Sequence, residues 1–273
     1  MTAMPASLVL VGAGKMGGAM LAGWQALGLR GSGINVLDPQ PAPGIIELCG
    51  RGGMAVNPPV ASLTPPDVLV LAVKPQLLDA AAPAIQALAG PQTLLISIIA
   101  GKTLANLQAR FPHARAIVRA MPNTPAAVGR GITGAFASPG ISPAQMASAV
   151  ALLSAVGEVA WVGEERLIDA VTAVSGSGPA YVFYLTECLA KAGEAQGLPP
   201  DLAARLARVT VEGSGELMHC DALSEPATLR RNVTSPAGTT AAALEVLMAD
   251  DGMQPLMTRA VAAARRRAGE LSG

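Results

Sequence analysis

Short β-rich apolar runs recur through the first half of the chain with helical patterns between them: Leu8 to Val11, Ile34 to Leu37, Val68 to Val73, Leu94 to Ile99 and Ala116 to Ala120. Each run is apolar at consecutive positions rather than at every second one. A strand covered on both faces needs that pattern, so the alternation predicts a mostly parallel sheet with helices on either side. A further run, Ile132 to Ala137, precedes a helix expected to start near Ser142-Pro143, and Val159 to Val162 reads as a last short strand. After about residue 163 the pattern changes to long Ala/Leu/Arg/Glu segments at helical spacing, over 180–196, 202–219, 239–248 and 254–271. Breaks at Leu198-Pro199-Pro200-Asp201 and at Asp221 to Pro226 supply the starts of new helices. The expected division is therefore a sheet domain over 1–163 and an all-helical domain over 164–273.

Composition limits what such a fold can serve. Of 273 residues 51% are hydrophobic and 14% charged, with 19 Lys+Arg against 19 Asp+Glu. A chain of this length buries roughly three quarters of its unfolded surface, so neither a metal nor a disulfide is needed to hold it together. Zero net charge, with Arg265-Arg266-Arg267 as the one basic run, leaves no footprint for nucleic acid or an anionic membrane. The uncharged stretches 80–101 and 131–157 are each broken by proline and glycine, which favours helix-turn-strand and strand-turn-helix over membrane spans. Cys49, Cys188 and Cys220 are odd in number and form no CxxC pair. Together with a first segment lacking a basic region before its apolar run, they point to a cytoplasmic protein. The helices of the second half are rich in alanine, with 3% aromatic residues in the whole chain. One copy makes a thin core, and packing against a second chain is the expected remedy.

Gly12-Ala13-Gly14-Lys15-Met16-Gly17 lies directly after the first strand and opens a helix. Gly12 permits the tight turn, Gly14 lets a pyrophosphate approach the backbone, and Gly17 allows helix and strand to pack closely. Asp38 follows the second strand, where a carboxylate accepts hydrogen bonds from an adenine ribose; a turn with Pro39 is the competing reading. Strand, glycine loop, helix and acid together indicate a Rossmann-like dinucleotide site. In such a sheet ligands sit beyond the carboxyl ends of the strands, so Ala72-Val73-Lys74-Pro75 and Ile99-Ala100-Gly101 should line the groove. Lys74 then either meets a phosphate or ribose or stands solvated at the start of a surface helix. Met121-Pro122-Asn123-Thr124-Pro125 is a proline-clamped loop in which Asn123 either offers its amide to a carboxamide such as that of nicotinamide or serves a plain rigid turn.

Ser175-Gly176-Ser177-Gly178-Pro179-Ala180-Tyr181 and Thr234-Ser235-Pro236-Ala237-Gly238-Thr239-Thr240 each precede a helix. Hydroxyls and free backbone N–H groups at a helix start suit a carboxylate. Simple capping accounts for one hydroxyl but not readily for Ser235, Thr239 and Thr240 around a glycine.

Taken in order, these motifs closely resemble the pyrroline-5-carboxylate reductase family over essentially the whole chain. The glycine loop is shared with many dinucleotide-binding enzymes, whereas the last three motifs are specific to the family. The resemblance implies a Rossmann-like, doubly wound domain followed by a helical domain that interlocks in a homodimer and in many members assembles to a decamer. It implies reduction of 1-pyrroline-5-carboxylate to L-proline, the last step of proline biosynthesis, with NADPH or NADH and without a metal. By the same resemblance Thr240 hydrogen-bonds the substrate nitrogen, and Ser235 with the backbone of Gly238, Thr239 and Thr240 holds the carboxylate. Asn57, Ala72, Val73, Lys74, Pro75, Ala100 and Asn232 match cofactor-contacting positions, and Glu165 matches a position near the bound ligand, whereas its residue type alone reads as a surface carboxylate.

Two departures stand out. Ala237 replaces a second glycine that the family usually carries, which is tolerable if φ there is negative. Pro39-Gln40-Pro41-Ala42-Pro43 offers no Arg or Lys to a 2′-phosphate, which favours NADH or dual use. A 3-hydroxyacid dehydrogenase type of enzyme would need a catalytic lysine in the second half, and the one lysine there, Lys191, lacks a glycine-rich motif around it. A nucleotide-binding regulatory protein would have no need of an intact Thr240 loop. His113 and His219 have no metal-ligand spacing to other donors and are assigned to structure or solvent.

Overall fold

The computed structural model describes residues 4–272. The chain forms two compact units, one running to Gly176 and including the last turns from Ala264 onward, the other spanning Ser177–Ala263. The boundary expected after residue 163 thus falls ahead of α6 (Leu167–Val171) and a π-turn over Thr172–Gly176, which stay with the first unit through buried Ile168 and Ala173.

The first unit is built on one eight-stranded sheet in the order β3-β2-β1-β4-β5-β6-β7-β8. The strands are β1 (Leu8–Val11), β2 (Ile34–Leu37), β3 (Ala55–Val56), β4 (Val68–Leu71), β5 (Leu94–Ser97), β6 (Ala116–Met121), β7 (Gly131–Ala137) and β8 (Gly157–Trp161). All neighbours pair in parallel except β6 with β7. The reason lies in the link: residues 122–130 hold only a 3₁₀ turn, too short for the crossover that a parallel pair requires. Between β7 and β8 the helix α5 (Pro143–Ser154) supplies that crossover, and the pair is parallel again.

Along β1, Leu8 and Leu10 join one buried cluster and Val9 and Val11 the other, so both faces of the sheet are packed. One face carries α1 (Lys15–Ala26), α2 (Pro43–Gly52) and α5; the other carries α3 (Leu78–Ile85) and α4 (Leu104–Arg110). Trp24 of α1 is fully buried, and its Nε1–H donates to the Leu152 carbonyl of α5 at 2.8 Å. Ser142 caps α5 in a reciprocal box with Gln145, at the helix start the sequence predicts. The runs read as far as Val73 and Ile99 leave the ladder at Leu71 and Ser97, and the residues beyond form the tips of the sheet.

The second unit consists of α7 (Gly178–Ala195), α8 (Pro200–Cys220), α9 (Pro226–Asn232), α10 (Thr239–Leu247) and the first part of α11 (Met253–Ser272). Among the described residues of this unit only Ala203 and Ala207 are buried. Phe183, Tyr184, Val209 and Val246 are all more than half exposed. No described helix is long and apolar enough to cross a membrane.

Candidate active site

Register brings the first set of predicted residues together. Val11 pairs with Leu37 on one side and Leu71 on the other, so Gly12, Asp38 and Ala72 leave the sheet at one level, where the strand order reverses direction between β1 and β4. Gly12 has φ +91, and a Cβ there would lie 2.8 Å from the backbone of Ala72. A Cβ on Gly17 would overlap the Gly12 carbonyl. Around Gly14 the position of a Cβ meets no atom within 4 Å. Two glycines are thus required by the protein's own packing, while the third leaves its space free. Behind it α1 starts with no side-chain cap and no acid in its first turn, so its free N–H groups and positive dipole end suit a phosphate.

Asp38 Oδ2 accepts the Ala13 N–H at 2.7 Å and Oδ1 accepts the Gln40 N–H at 2.8 Å, which fixes the acid against the glycine loop. Asn57 does not stand apart as a separate contact: its amide bonds both backbone groups of Asp38. Ala72 donates its N–H to the Val11 carbonyl at 2.8 Å, Val73 and Pro75 are half-buried, and the side chains of Lys15 and Lys74 are exposed. Met16 packs against the core of the same face as α1. Ala100 sits on the tip after β5, between buried Ile99 and Gly101, whose φ is +70.

In the third motif the structure fits the rigid-turn reading. Asn123 is 8% exposed; its Oδ1 accepts the Ile132 N–H at 2.9 Å and its Nδ2 donates to the Ser175 carbonyl at 3.1 Å. These two bonds tie the β6 tip to the start of β7 and to the π-turn that leads into Ser177. Glu165 is likewise engaged: its Oε1 accepts the Leu104 N–H at 2.7 Å and lies 3.2 Å from Arg119 Nη1. It is a part-buried, paired carboxylate rather than a solvated surface one.

In the second unit, α10 begins at Thr239 with Gly238 as its N-cap and no side-chain cap. The Gly238 N–H donates to the Ser235 carbonyl at 3.0 Å, closing a tight turn, and Thr234 Oγ1 is spent on the Arg230 carbonyl. The hydroxyls of Ser235, Thr239 and Thr240 make no hydrogen bond among the described residues. They surround the N–H groups that every helix leaves unpaired at its start. Ser177 precedes α7 in the same uncapped way, and Asn232 ends α9, exposed. Ala237 has φ +57, so the tolerance argument from a negative φ does not hold; the methyl group sits in the left-handed region that favours glycine.

Comparison with known proteins bears on these two sites directly. Residues 165–271 match the family model for pyrroline-5-carboxylate reductase dimerisation, and residues 7–101 match that for coenzyme F420-dependent NADP oxidoreductases. The pyrroline-5-carboxylate reductase of Pseudomonas aeruginosa is 40% identical over 266 residues, 97% of this chain and 96% of its own. The chain belongs to the pyrroline-5-carboxylate reductase family. Another reductase of the family, from Synechocystis, is 48% identical over 75% of each chain. A solved pyrroline-5-carboxylate reductase from Coxiella burnetii superposes with a TM-score of 0.87 at 33% identity over 98% of both chains. The Plasmodium falciparum pyrroline carboxylate reductase, solved with NADP bound, gives 0.81 at 26% identity over 99% of this chain.

In this member of the reductase family sequence reasoning passes over Arg119, which is 3% exposed on β6 and lies 3.2 Å from both Glu165 and Asp169. The signal was present: an arginine inside a strand buried on both faces must have a charged partner.

Proposed function

We propose that this chain reduces 1-pyrroline-5-carboxylate to L-proline with NADPH or NADH. The observation that carries the reading is likeness to a curated reductase along nearly the whole length of both chains. The residues fit it. Gly12 to Gly17, the start of α1 and Asp38 form a cradle for pyrophosphate and ribose, with Ala72 to Pro75 and Ala100 along the groove and Asn57 and Asn123 holding its walls. When bound, the nicotinamide supplies the hydride that adds to the carbon of the C=N bond.

On the substrate side, Ser235 and the N–H groups of Gly238, Thr239 and Thr240 hold the carboxylate, and the dipole of α10 favours its charge. The Thr240 hydroxyl hydrogen-bonds the ring nitrogen. That nitrogen is already protonated in the iminium form, so hydride addition leaves a neutral secondary amine and no strong side-chain acid is required. Positioning is the main contribution of the protein. Ser177 and Asn232 are assigned supporting roles at the substrate and cofactor ends respectively.

The helical half makes a homodimer, a reading supported by the dimerisation model and by its exposed apolar faces. Assembly to a decamer and a cytoplasmic location, the latter in keeping with three cysteines in no disulfide, complete the reading. The test is loss of reduced-nicotinamide absorbance with pyrroline-5-carboxylate, run with each cofactor and repeated on Thr240→Ala. A sharp fall in turnover with cofactor binding retained is expected. A chain that binds nucleotide and turns over with neither cofactor would overturn the proposal.

A further inference from the structure

Arg119 is the one charge in β6, and its guanidinium is almost wholly enclosed, with 4% of the side chain exposed. Nη1 lies 3.2 Å from Glu165 Oε1 and Nη2 lies 3.2 Å from Asp169 Oδ1. The same Glu165 Oε1 accepts the Leu104 N–H at 2.7 Å, at the very start of α4. A carboxylate at that point suits the helix dipole and is held there by the arginine. Beside it the last turn of α11 closes in: Ser272 Oγ is 3.3 Å from Asp169 Oδ1 and 3.5 Å from Arg119 Nη2.

What this cluster holds is the loop that carries Ala100. The loop leaves β5 with the Ile98 N–H donating to the Leu71 carbonyl at 3.0 Å, alongside the tip that bears Ala72. At its middle a Cβ on Gly101 would lie 2.8 Å from the Leu271 carbonyl, so backbone meets backbone there. At its end Thr103 caps α4 and Glu165 takes the Leu104 N–H. The loop is therefore fixed at its start by the sheet, at its middle by the chain's last helical turn and at its end by the Arg119 cluster. Ala100, half-buried, lies between the first two of these anchors.

We infer that Arg119 is a positioning residue for the nicotinamide cofactor, acting through Glu165 on the loop 98–103. The inference rests on the reductase reading for the identity of the cofactor. It uses the shape of arginine: a rigid fork reaches two carboxylates at once, whereas a lysine ammonium keeps the charge and loses that two-sided grip.

The test measures dissociation constants for NADH and NADPH by nucleotide fluorescence on the full chain, with melting temperature, kcat and the KM for pyrroline-5-carboxylate taken alongside. Arg119→Met should weaken both cofactors by about tenfold or more, Arg119→Lys by less, and Glu165→Gln in the same direction, because a displaced loop costs binding at the groove. The KM for pyrroline-5-carboxylate at saturating cofactor should move by less than about twofold in Arg119→Lys. A lower melting temperature with unchanged cofactor binding would make the cluster a structural staple and overturn the inference. So would a rise confined to the KM of the imine. If Arg119→Met does not fold, Arg119→Lys and Ser272→Ala decide the question by the same readouts. Binding is measured without turnover, so a chain that binds nucleotide and reduces nothing overturns the reductase reading while this inference is still judged on its own.

Discussion

Asn57 grips Asp38 by both backbone groups: Oδ1 accepts the Asp38 N–H at 2.9 Å and Nδ2 donates to the Asp38 carbonyl at 2.7 Å. Asn57 itself has φ +50, a left-handed conformation that asparagine tolerates better than most residues. Asp38 in turn accepts the Ala13 N–H, so the amide, the acid and the glycine loop form one chain of hydrogen bonds. Asn57→Gly should keep the backbone and lose the grip, while Asn57→Ala loses the grip and adds strain of about 1 kcal/mol. Both variants are expected to raise the KM for cofactor and to melt lower than the natural chain, the alanine variant lower than the glycine one. Equal melting temperatures would remove the strain argument.

The same carboxylate is expected to set the cofactor preference. A 2′-phosphate placed near Asp38 meets a like charge, and at about 4 Å such a pair repels by about 1 to 4 kcal/mol between the water and near-surface limits. Nothing in Pro39 to Pro43 supplies a compensating cation. The expected kcat/KM with NADH is at least equal to that with NADPH, and Asp38→Asn should move the ratio toward NADPH. A hundredfold preference of the natural chain for NADPH would contradict this.

Much of this was legible in the sequence, for identifiable reasons. Strands such as Leu8–Val11 and Ile34–Leu37 announce themselves because burial on both faces demands an unbroken apolar run. The glycine loop is legible because its constraints are local. Less legible are features set by distant partners. Ala55–Val56 is too short to show a period, and the reversal at β7 depends on the length of the link before it. Asn123 and Glu165 carry the right chemistry for ligands and also bond Ile132, Ser175, Leu104 and Arg119, and no spacing along the chain reveals those partners.

Gly14 and Gly17 make opposite predictions from one motif. Gly17→Ala drives a methyl group into the Gly12 carbonyl and should destabilise the fold, seen as a clear drop in melting temperature. Gly14→Ala meets no protein atom and should melt like the natural chain, but its methyl occupies the space left for the pyrophosphate. Cofactor binding should fall sharply in that variant. If Gly14→Ala binds NADH and NADPH normally, the cradle lies elsewhere.

Ala237 holds a left-handed conformation at a cost of about 1 kcal/mol that glycine would not incur. Ala237→Gly also frees the unfolded chain, which offsets part of the gain. The expected net result is a stability change within about 1 kcal/mol and a lower KM for pyrroline-5-carboxylate, because the turn from Ser235 to Gly238 then reaches its binding shape without strain. A higher KM would mean that the alanine instead keeps the loop ordered.

The helical half is not expected to be stable by itself. Burial of apolar surface yields about 25 cal/mol per Å², and within Ser177–Ala263 only two alanines are buried. Phe183 and Val246 are 63% and 72% exposed in the single chain. A second copy laid over these faces supplies the missing core, so folding of this half and dimerisation should be one event whose midpoint depends on protein concentration. Phe183→Glu or Val209→Asp places a charge in that contact and should yield a monomer, measured by light scattering, with loss of helical signal and of turnover together. A monomeric variant that keeps full helicity would show that these helices hold without a partner.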